Sequence, residues 1–233
     1  MSKIKPAEIV NNVVKYYQTK FNKVRPLLKQ LVQDGQKPHA FVITCSDSRV
    51  VPDMVMGSEP GEIFVVRNIG NIVPPSYSKP IEQSVGAALE YAVEVLNVPN
   101  IVVMGHGDCG AMKAVLAGQT GLRHVDGWLK FAESSHIRYK VDDEFGAGLA
   151  PHDRLSQINV LQQLESLRTY PPVADRLEAM SITLHAWWFD IETARVLTFN
   201  VRKNQFVPLE EVYPVLDPET EKLVKQIEAQ FVK

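Results

Sequence analysis

The sequence predicts an α/β protein built on a central, mostly parallel sheet. Apolar runs of strand length occur at residues 40–44, 62–67 and 101–105. Between the second and third runs, apolar side chains from about Pro80 to Leu96 recur with a 3.6-residue period, which is typical of an amphipathic helix. A strand, a helix and a further strand form a parallel crossover unit. We therefore expect a mostly parallel four-stranded sheet with one added antiparallel edge strand, flanked by helices.

An N-terminal helical arm is predicted to precede the first strand. Residues 6–32 place apolar side chains at helical spacing, namely Ile9, Val10, Val13, Val14, Tyr17 and Phe21. Lysines lie among them, so a membrane-surface helix or a transit peptide is an alternative to an arm packed on the core or on a partner subunit. We favour the packed arm, because the stretch has no Trp anchor and lacks the Ser and Arg richness of a transit peptide.

The second half of the chain is expected to add helices, the fourth strand and its antiparallel partner. Helices are predicted from near Asp108 to Gly118, over 125–129, and over 155–167 up to Pro171-Pro172; strands are predicted at 182–188 and 195–200. The acidic run 142–144 is interpreted as solvated surface. The last stretch, with Pro208, Pro214 and Pro218, is expected to be irregular and to end in a short charged helix. We expect one domain over 1–233, with an arm (1–34), a core (35–210) and a tail (211–233).

Composition narrows the class of protein. The chain has 233 residues, 45% of them hydrophobic, and a net charge of −2. This balance argues against nucleic acid or an anionic membrane as the main partner. No apolar run reaches the ~18 residues of a membrane helix, and the first residues do not resemble a signal peptide. Two cysteines in such a chain favour a reducing compartment, so we expect a cytoplasmic protein.

Both cysteines lie where strands are predicted to end. Cys45 ends the first apolar run, and His106 ends the third, with Cys109 three residues later. Carboxyl ends of neighbouring parallel strands face one crevice, which brings two thiols and one imidazole together. Two Cys and one His form a three-ligand set for catalytic zinc. Cys109 also lies at a predicted helix N-terminus, where the helix dipole lowers the pKa of a thiol.

The residues around these ligands decide between a metal site and two small buried side chains. Asp47 and Arg49 follow Cys45 closely, and their spacing allows a bidentate ion pair. The alternative is a surface salt bridge worth about 0–1 kcal/mol. The glycines Gly105, Gly107 and Gly110 are expected to let the backbone approach the metal. Together these features favour a metal site.

The combined pattern resembles the β-class carbonic anhydrases. Cys-x-Asp-x-Arg at 45–49 and His-x-x-Cys-Gly at 106–110 carry the likeness, and the segments 59–71, 90–93 and 159–167 extend it over roughly residues 30–210. The resemblance implies reversible, zinc-dependent hydration of carbon dioxide to bicarbonate and a proton, with one Zn²⁺ per chain. It also implies that Asp47 is paired with Arg49 in an open site and binds the metal only in a closed state.

The resemblance further implies a substrate pocket shared between subunits. By motif position, Gln36 corresponds to a glutamine that hydrogen-bonds substrate, and Phe64, Ile69 and Tyr91 correspond to an apolar wall near Gly110. In the family the glutamine, phenylalanine and tyrosine come from the neighbouring subunit, so a homodimer or a dimer of dimers is expected. The plain alternatives are a turn residue for Gln36 and core packing for Phe64 and Tyr91.

One branch of the family binds bicarbonate at a second pocket, and this chain lacks most of its pattern. The positions expected to hold Trp, Arg and Tyr are Val42, Arg67 and Phe189. Neither Val42 nor Phe189 can donate a hydrogen bond to the anion, so Arg67 is interpreted as a structural, ion-pairing residue. We therefore expect an open site at neutral pH.

The histidines other than His106 are not expected to bind the metal. The remaining histidines are expected to be structural or exposed: His39, His124, His136, His152 and His185. A proton-relay role for His124 or His136 is not favoured, and Trp187-Trp188 is expected to be packing. Three rival functions stay open: a zinc hydrolase for carbon disulfide or carbonyl sulfide, a noncatalytic zinc module, and a redox protein that pairs Cys45 with Cys109.

Overall fold

The computed structural model describes residues 6–79 and 81–213. Its strands are β1 (Ala40–Cys45), β2 (Ile63–Asn68), β3 (Asn100–His106), β4 (Thr183–Asp190), β5 (Arg195–Asn200) and β6 (Gln205–Pro208). Its α-helices are α1 (Pro6–Thr19), α2 (Phe21–Asp34), α3 (Pro52–Met56), α4 (Gln83–Glu90), α5 (Gly110–Ala117), α6 (Arg123–Leu129), α7 (Glu133–Val141), α8 (Pro151–Arg168), α9 (Pro171–Glu178) and α10 (Leu209–Val212).

The sheet has the order β2-β1-β3-β4-β5-β6. The first four of these strands are parallel, and β5 and β6 are antiparallel to their neighbours. The α/β class and the parallel centre are therefore confirmed. The expectation of a single antiparallel edge strand is wrong, because β6 adds a second one. That strand has only four residues and ends in a proline, so it carries little strand signal in the sequence.

Helix boundaries differ from the sequence prediction at three places. The arm is two helices, which meet at Lys20 rather than continuing through it. The helix expected from Pro80 begins at Gln83, where the Glu82 carboxylate caps it by accepting the N–H groups of Ser84 and Val85. Pro80 itself lies outside the described residues. Pro171 and Pro172 do stop α8, but they also begin α9, because proline suits the first helical turn, where its missing N–H costs no hydrogen bond.

The acidic run 142–144 is not uniformly solvated. The Asp142 carboxylate accepts the Phe145 N–H at 3.2 Å and lies 3.8 Å from Arg138, whereas Asp143 is almost fully exposed. The tail expected over 211–233 is described only as far as residue 213, and its final helix lies outside the described residues. Within the described residues, no helix combines the length and the apolarity needed to cross a bilayer.

The core covers both faces of the parallel strands. Every residue of β1 is buried, and β3 is buried after its first residue. A Cβ on Gly105 of β3 would lie 2.6 Å from Val160 Cγ2 on α8 and 3.2 Å from Trp188 Cδ1 on β4. Helix α8 therefore packs closely against β3. Glycine at 105 is therefore required by the contact between strand and helix. This arrangement fixes the carboxyl ends of β1 and β3 side by side.

Candidate metal centre

Three potential metal ligands meet at the carboxyl ends of β1 and β3. Cys45 is the last residue of β1, His106 is the last residue of β3, and Cys109 directly precedes α5. Their ligand atoms all lie within 4.8 Å of one another, and the three residues are buried, with His106 and Cys109 at 0% exposure. The juxtaposition expected from parallel strand ends is thus present in the structure.

The His106 ring is oriented for metal binding. Its Nδ1 lies 2.7 Å from the carbonyl oxygen of Gly107, which can only accept, so Nδ1 carries the proton and Nε2 presents a lone pair. That Nε2 atom is buried and has no hydrogen-bond partner among the described residues. A buried acceptor without a partner is costly unless a ligand completes it. The ring therefore fits a cation at Nε2.

The two thiols differ in acidity because they share a hydrogen bond. A hydrogen bond from the Cys109 thiol lowers the pKa of Cys45 and outweighs the effect of burial, and the Gly70 N–H adds to this lowering. The Gly70 N–H lies 3.4 Å from the Cys45 sulfur. The same contact with Cys45, together with burial, raises the pKa of Cys109. One thiolate forms readily, and a cation would favour the second.

The donor set fits zinc. Two sulfurs and one imidazole nitrogen are a set that catalytic zinc sites use, with a fourth position left for water or substrate. The structure gives two of the three glycines a packing reason. A Cβ at Gly107 would meet the Trp188 ring at 3.3 Å, and one at Gly105 would lie 2.6 Å from Val160 of α8, whereas a Cβ at Gly110 would meet no protein atom within 4 Å. That these glycines let the backbone approach the metal stays a prediction.

Asp47 and Arg49 form the bidentate pair expected from their spacing. Arg49 Nε donates to Asp47 Oδ1 at 3.0 Å, and Nη2 donates to Oδ2 at 2.8 Å. These hydrogen bonds, ahead of a smaller effect from burial, lower the pKa of Asp47 well below its usual range. Asp47 Oδ2 also lies 4.0 Å from His106 Nε2. The carboxylate is therefore ionised, held by the arginine, and adjacent to the ligand cluster.

Arg67 fixes the backbone that carries this pair. Its Nε donates to the carbonyl oxygen of Cys45 at 3.1 Å, and its Nη2 donates to that of Asp47 at 2.7 Å. The structural role expected for Arg67 is thus performed through two carbonyl oxygens rather than an ion pair. Val42 and Phe189, the other two positions of the second pocket, are buried apolar side chains.

A second carboxylate, missed by the sequence analysis, binds the other side of Arg49. Arg49 Nη1 donates to Asp108 Oδ2 at 2.8 Å, and Lys113 donates to Oδ1 of the same carboxylate. The bonds from Lys113 and Arg49 lower the pKa of Asp108 to about 2. Asp108 adopts a positive φ of 57°, which turns its side chain toward Arg49. The sequence could have indicated Asp108, because this residue lies between the proposed ligands His106 and Cys109.

The loop after β2 is braced on α8 by buried amides. Asn159 Nδ2 donates to the Gly70 carbonyl at 3.0 Å, and Gln163 Oε1 accepts the Val73 N–H at 2.8 Å. Gln163 Nε2 also donates to Asn159 Oδ1 at 2.8 Å, so the two amides form one unit. The sequence indicated this contact through two amide residues, Asn159 and Gln163, which lie four positions apart on an otherwise buried helix face. The bracing holds the Gly70 N–H against the Cys45 sulfur.

The structure brings only part of the expected substrate wall together within one chain. The Phe64 and Tyr91 rings lie 5.9 Å apart, and Tyr91 opens a single π-helical turn, Tyr91–Val95, at the end of α4. Ile69 lies next to Gly70 and is 47% exposed. Gln36 is exposed and precedes the amino end of β1, whereas Cys45 is at its carboxyl end. A six-residue strand spans about 20 Å, so Gln36 is remote from the thiols of its own chain.

Comparisons with known proteins agree on one family. The protein-family model described as carbonic anhydrase matches residues 40–196. A carbonic anhydrase of Pseudomonas aeruginosa is 41% identical over 206 residues, covering 88% of this chain and 92% of that protein. A beta carbonic anhydrase 1 of Caenorhabditis briggsae is 34% identical, covering 92% of each.

Solved structures give the same result. The structure of the β-carbonic anhydrase CcaA superposes with a TM-score of 0.80 at 36% identity, covering 87% of this chain and 98% of that one. A structure from a study of two tetrameric β-carbonic anhydrases of Sordaria macrospora has a TM-score of 0.69 at 30% identity, covering 83% and 95%.

Proposed function

Because the chain belongs to the carbonic anhydrase family, in its β class, we propose that it catalyses the zinc-dependent, reversible hydration of carbon dioxide to bicarbonate and a proton. The observation that supports this best is the buried Cys45–His106–Cys109 cluster, with the free Nε2 of His106 facing the thiols. When bound, zinc supplies a Lewis acid that lowers the pKa of water and so generates a nucleophile near neutral pH.

In this proposal the Asp47–Arg49 pair controls the fourth ligand position. Arg49 donates to both Asp47 oxygens, which would keep this carboxylate from binding the metal and would leave the fourth position to water. The ionised Asp47 can then accept a hydrogen bond from the attacking water and orient its lone pair toward the carbon of the substrate. Arg67 holds the two flanking carbonyl oxygens, so this orientation is maintained by the backbone.

The open site implies a simple response to pH. The second-pocket positions Val42 and Phe189 offer no donor to an anion, so bicarbonate has no evident means of favouring the closed state. Hydration activity should therefore rise smoothly with pH, without cooperative collapse. A sharply sigmoidal profile, or a crystal at neutral pH with Asp47 bound to the metal, would argue against this part of the proposal.

We propose that the active protein is a homodimer or a dimer of dimers, located in the cytoplasm. Gln36 lies at the wrong end of β1 to serve its own metal centre, and Phe64 is paired in register with Phe41, four residues before Cys45. A partner subunit can bring both to the site. Tyr91 is 45% exposed beside Phe64 and is available for the same contact. In this view Gln36 binds substrate, and Phe64, Ile69 and Tyr91 form the apolar wall near Gly110.

The test is stopped-flow hydration of carbon dioxide by zinc-loaded, zinc-stripped and reconstituted protein. We expect activity with zinc, its loss on stripping and its return on reconstitution. Carbonyl sulfide and carbon disulfide are assayed in parallel, because turnover of these substrates without carbon dioxide hydration would identify the zinc hydrolase instead. Zinc without any turnover would indicate a noncatalytic module. A Cys45–Cys109 disulfide in the active protein would indicate redox chemistry.

A further inference from the structure

One histidine outside the metal centre lies beside the Arg49 ion-pair network. His152, on the first turn of α8, places its Nε2 atom 3.7 Å from Asp108 Oδ1 and 3.5 Å from Asp153 Oδ1. Asp153 also accepts the Asp108 N–H at 2.7 Å, so the two carboxylates are held together. The sequence analysis expected His152 to be structural or exposed, and in the structure its ring lies beside two carboxylates.

This histidine is connected to the centre through a continuous polar rim. Asp108 contacts His152 on one side and Arg49 on the other, and Arg49 holds Asp47 against His106. The His152 side chain is 25% exposed, so it reaches both the rim and bulk water. Its distances to the carboxylates exceed those of direct hydrogen bonds, which leaves Nε2 available to water.

The other histidines lack this position. His106 is a metal ligand in the proposed centre. His39 precedes the amino end of β1, and the His185 Nε2 atom is engaged by Asn100 Oδ1 at 2.9 Å. His124 is an exposed residue of α6 and His136 lies on α7, and within the described residues neither forms an ion pair with Arg49 or Asp108. Around His152, the charged groups are Asp108 and Asp153, with Lys113 and Arg49 on the far side of Asp108.

We propose that His152 carries the proton between the active site and solvent during turnover, a role that rests on the proposed carbon dioxide hydration. Each hydration consumes one water and one carbon dioxide and yields one bicarbonate and one proton. The proton passes through water molecules at the rim to a neutral His152 ring, which becomes imidazolium. The imidazolium then releases the proton to a buffer base, and the ring is neutral for the next cycle. Histidine suits this step because its side chain changes charge near neutral pH.

The test compares His152→Ala with His124→Ala, a change at an exposed histidine without these contacts. Carbon dioxide hydration is measured in a bulky buffer, and kcat is separated from kcat/KM. We expect kcat of His152→Ala to fall about 100-fold, because a positioned proton-transfer group contributes at least this much. Its kcat/KM should stay unchanged, since that constant reports the hydration step. Added imidazole should restore kcat, and His124→Ala should behave as wild type.

Two readouts independent of turnover complete the test. Zinc content and the thermal unfolding midpoint of His152→Ala should both match wild type. An unchanged kcat, a failure of imidazole to restore kcat, or an equal fall in kcat and kcat/KM would overturn the proposal. A loss of kcat in His124→Ala instead would also overturn it. Wild-type protein without any carbon dioxide hydration would contradict the proposed function itself.

Discussion

Within one chain the candidate metal centre is enclosed, whereas the proposed substrate wall stays open to solvent. Cys45, His106 and Cys109 are buried, and their orienting contacts come from the same chain. By contrast, Ile69 and Tyr91 stay about half exposed. The comparison teaches that the three candidate ligands are brought together and enclosed by one chain, whereas the expected substrate wall is left open to solvent by that chain.

Helix α1 belongs with the incomplete region. Its apolar side chains are 46–62% exposed, namely Ile9, Val10, Val13, Val14, Tyr16 and Tyr17. In a helix these positions form one face, and polar residues such as Asn11 lie on the other. A contiguous exposed apolar face is typical of an interaction surface. The favoured interpretation was an arm packed on the core or on a partner subunit, and this exposure is consistent with the second of these arrangements.

The largest effect is expected from breaking the metal centre. Cys109→Ser should remove zinc and abolish hydration activity, because a serine hydroxyl at a buried site is a poor zinc ligand. Zinc is measured by mass spectrometry and activity by stopped flow, with circular dichroism as the control for folding. A folded Cys109→Ser protein that retains full zinc and activity would contradict the assignment of this ligand.

A smaller loss is expected when only the pair beside the centre is changed. Arg49→Ala releases Asp47 and Asp108 together, and residues that orient metal ligands typically contribute about 10–100-fold to activity or metal affinity. We expect activity to fall by this amount while the fold is retained. The matched control is Arg168→Ala, which removes an exposed arginine paired with Glu165 at 3.6 Å. Wild-type turnover by Arg49→Ala would refute the role of the pair.

The incomplete region, which consists of the substrate wall and the apolar face of α1, is tested by measuring the oligomeric state. Val13→Glu places a charge in the centre of the apolar face of α1, so we expect the sedimentation coefficient to shift toward the monomer and activity to fall, with zinc retained. Asn11→Glu introduces the same charge on the opposite face of the helix and should leave assembly unchanged. A wild-type monomer that is fully active at the assay concentration would contradict the proposal that a partner subunit completes the substrate wall.

The smallest effect concerns the bracing of the site loop. Tyr170 donates its hydroxyl to the Pro74 carbonyl at 2.7 Å, and burial, ahead of Glu82 and Glu90, raises its pKa to about 12. Tyr170→Phe should cost about 1 kcal/mol in the free energy of unfolding, with the zinc site intact.

The same residue gives a pH signature. Because the native state favours neutral Tyr170, its contribution is present below pH ~10 and is lost as the pH rises toward about 12. The stability difference between wild type and Tyr170→Phe, from urea unfolding, should therefore shrink over this interval. A constant difference would argue against the buried hydroxyl as its cause.

The sequence was informative where chemistry and strand ends coincide. Two cysteines and a histidine at the ends of apolar runs were enough to predict that Cys45, His106 and Cys109 meet, because neighbouring parallel strands end at one edge. The spacing of Asp47 and Arg49 likewise predicted the bidentate contact that the structure contains.

Features that depend on backbone atoms or on distant packing could not be predicted. The Gly70 N–H that contacts Cys45 has no side-chain signature, and His152 is 46 residues from His106 in the sequence. The packing of Gly105 on Val160 and of Gly107 on Trp188 likewise has no signature in the sequence.

The central claim is that one zinc per chain is held by two thiolates and one imidazole of that same chain. X-ray absorption at the zinc edge of the active protein tests it most directly. We predict about one zinc per chain with two sulfur neighbours near 2.3 Å, one imidazole nitrogen near 2.0–2.1 Å and one further light atom. A fully active enzyme whose zinc has no sulfur neighbour, or which contains no zinc, would contradict the account.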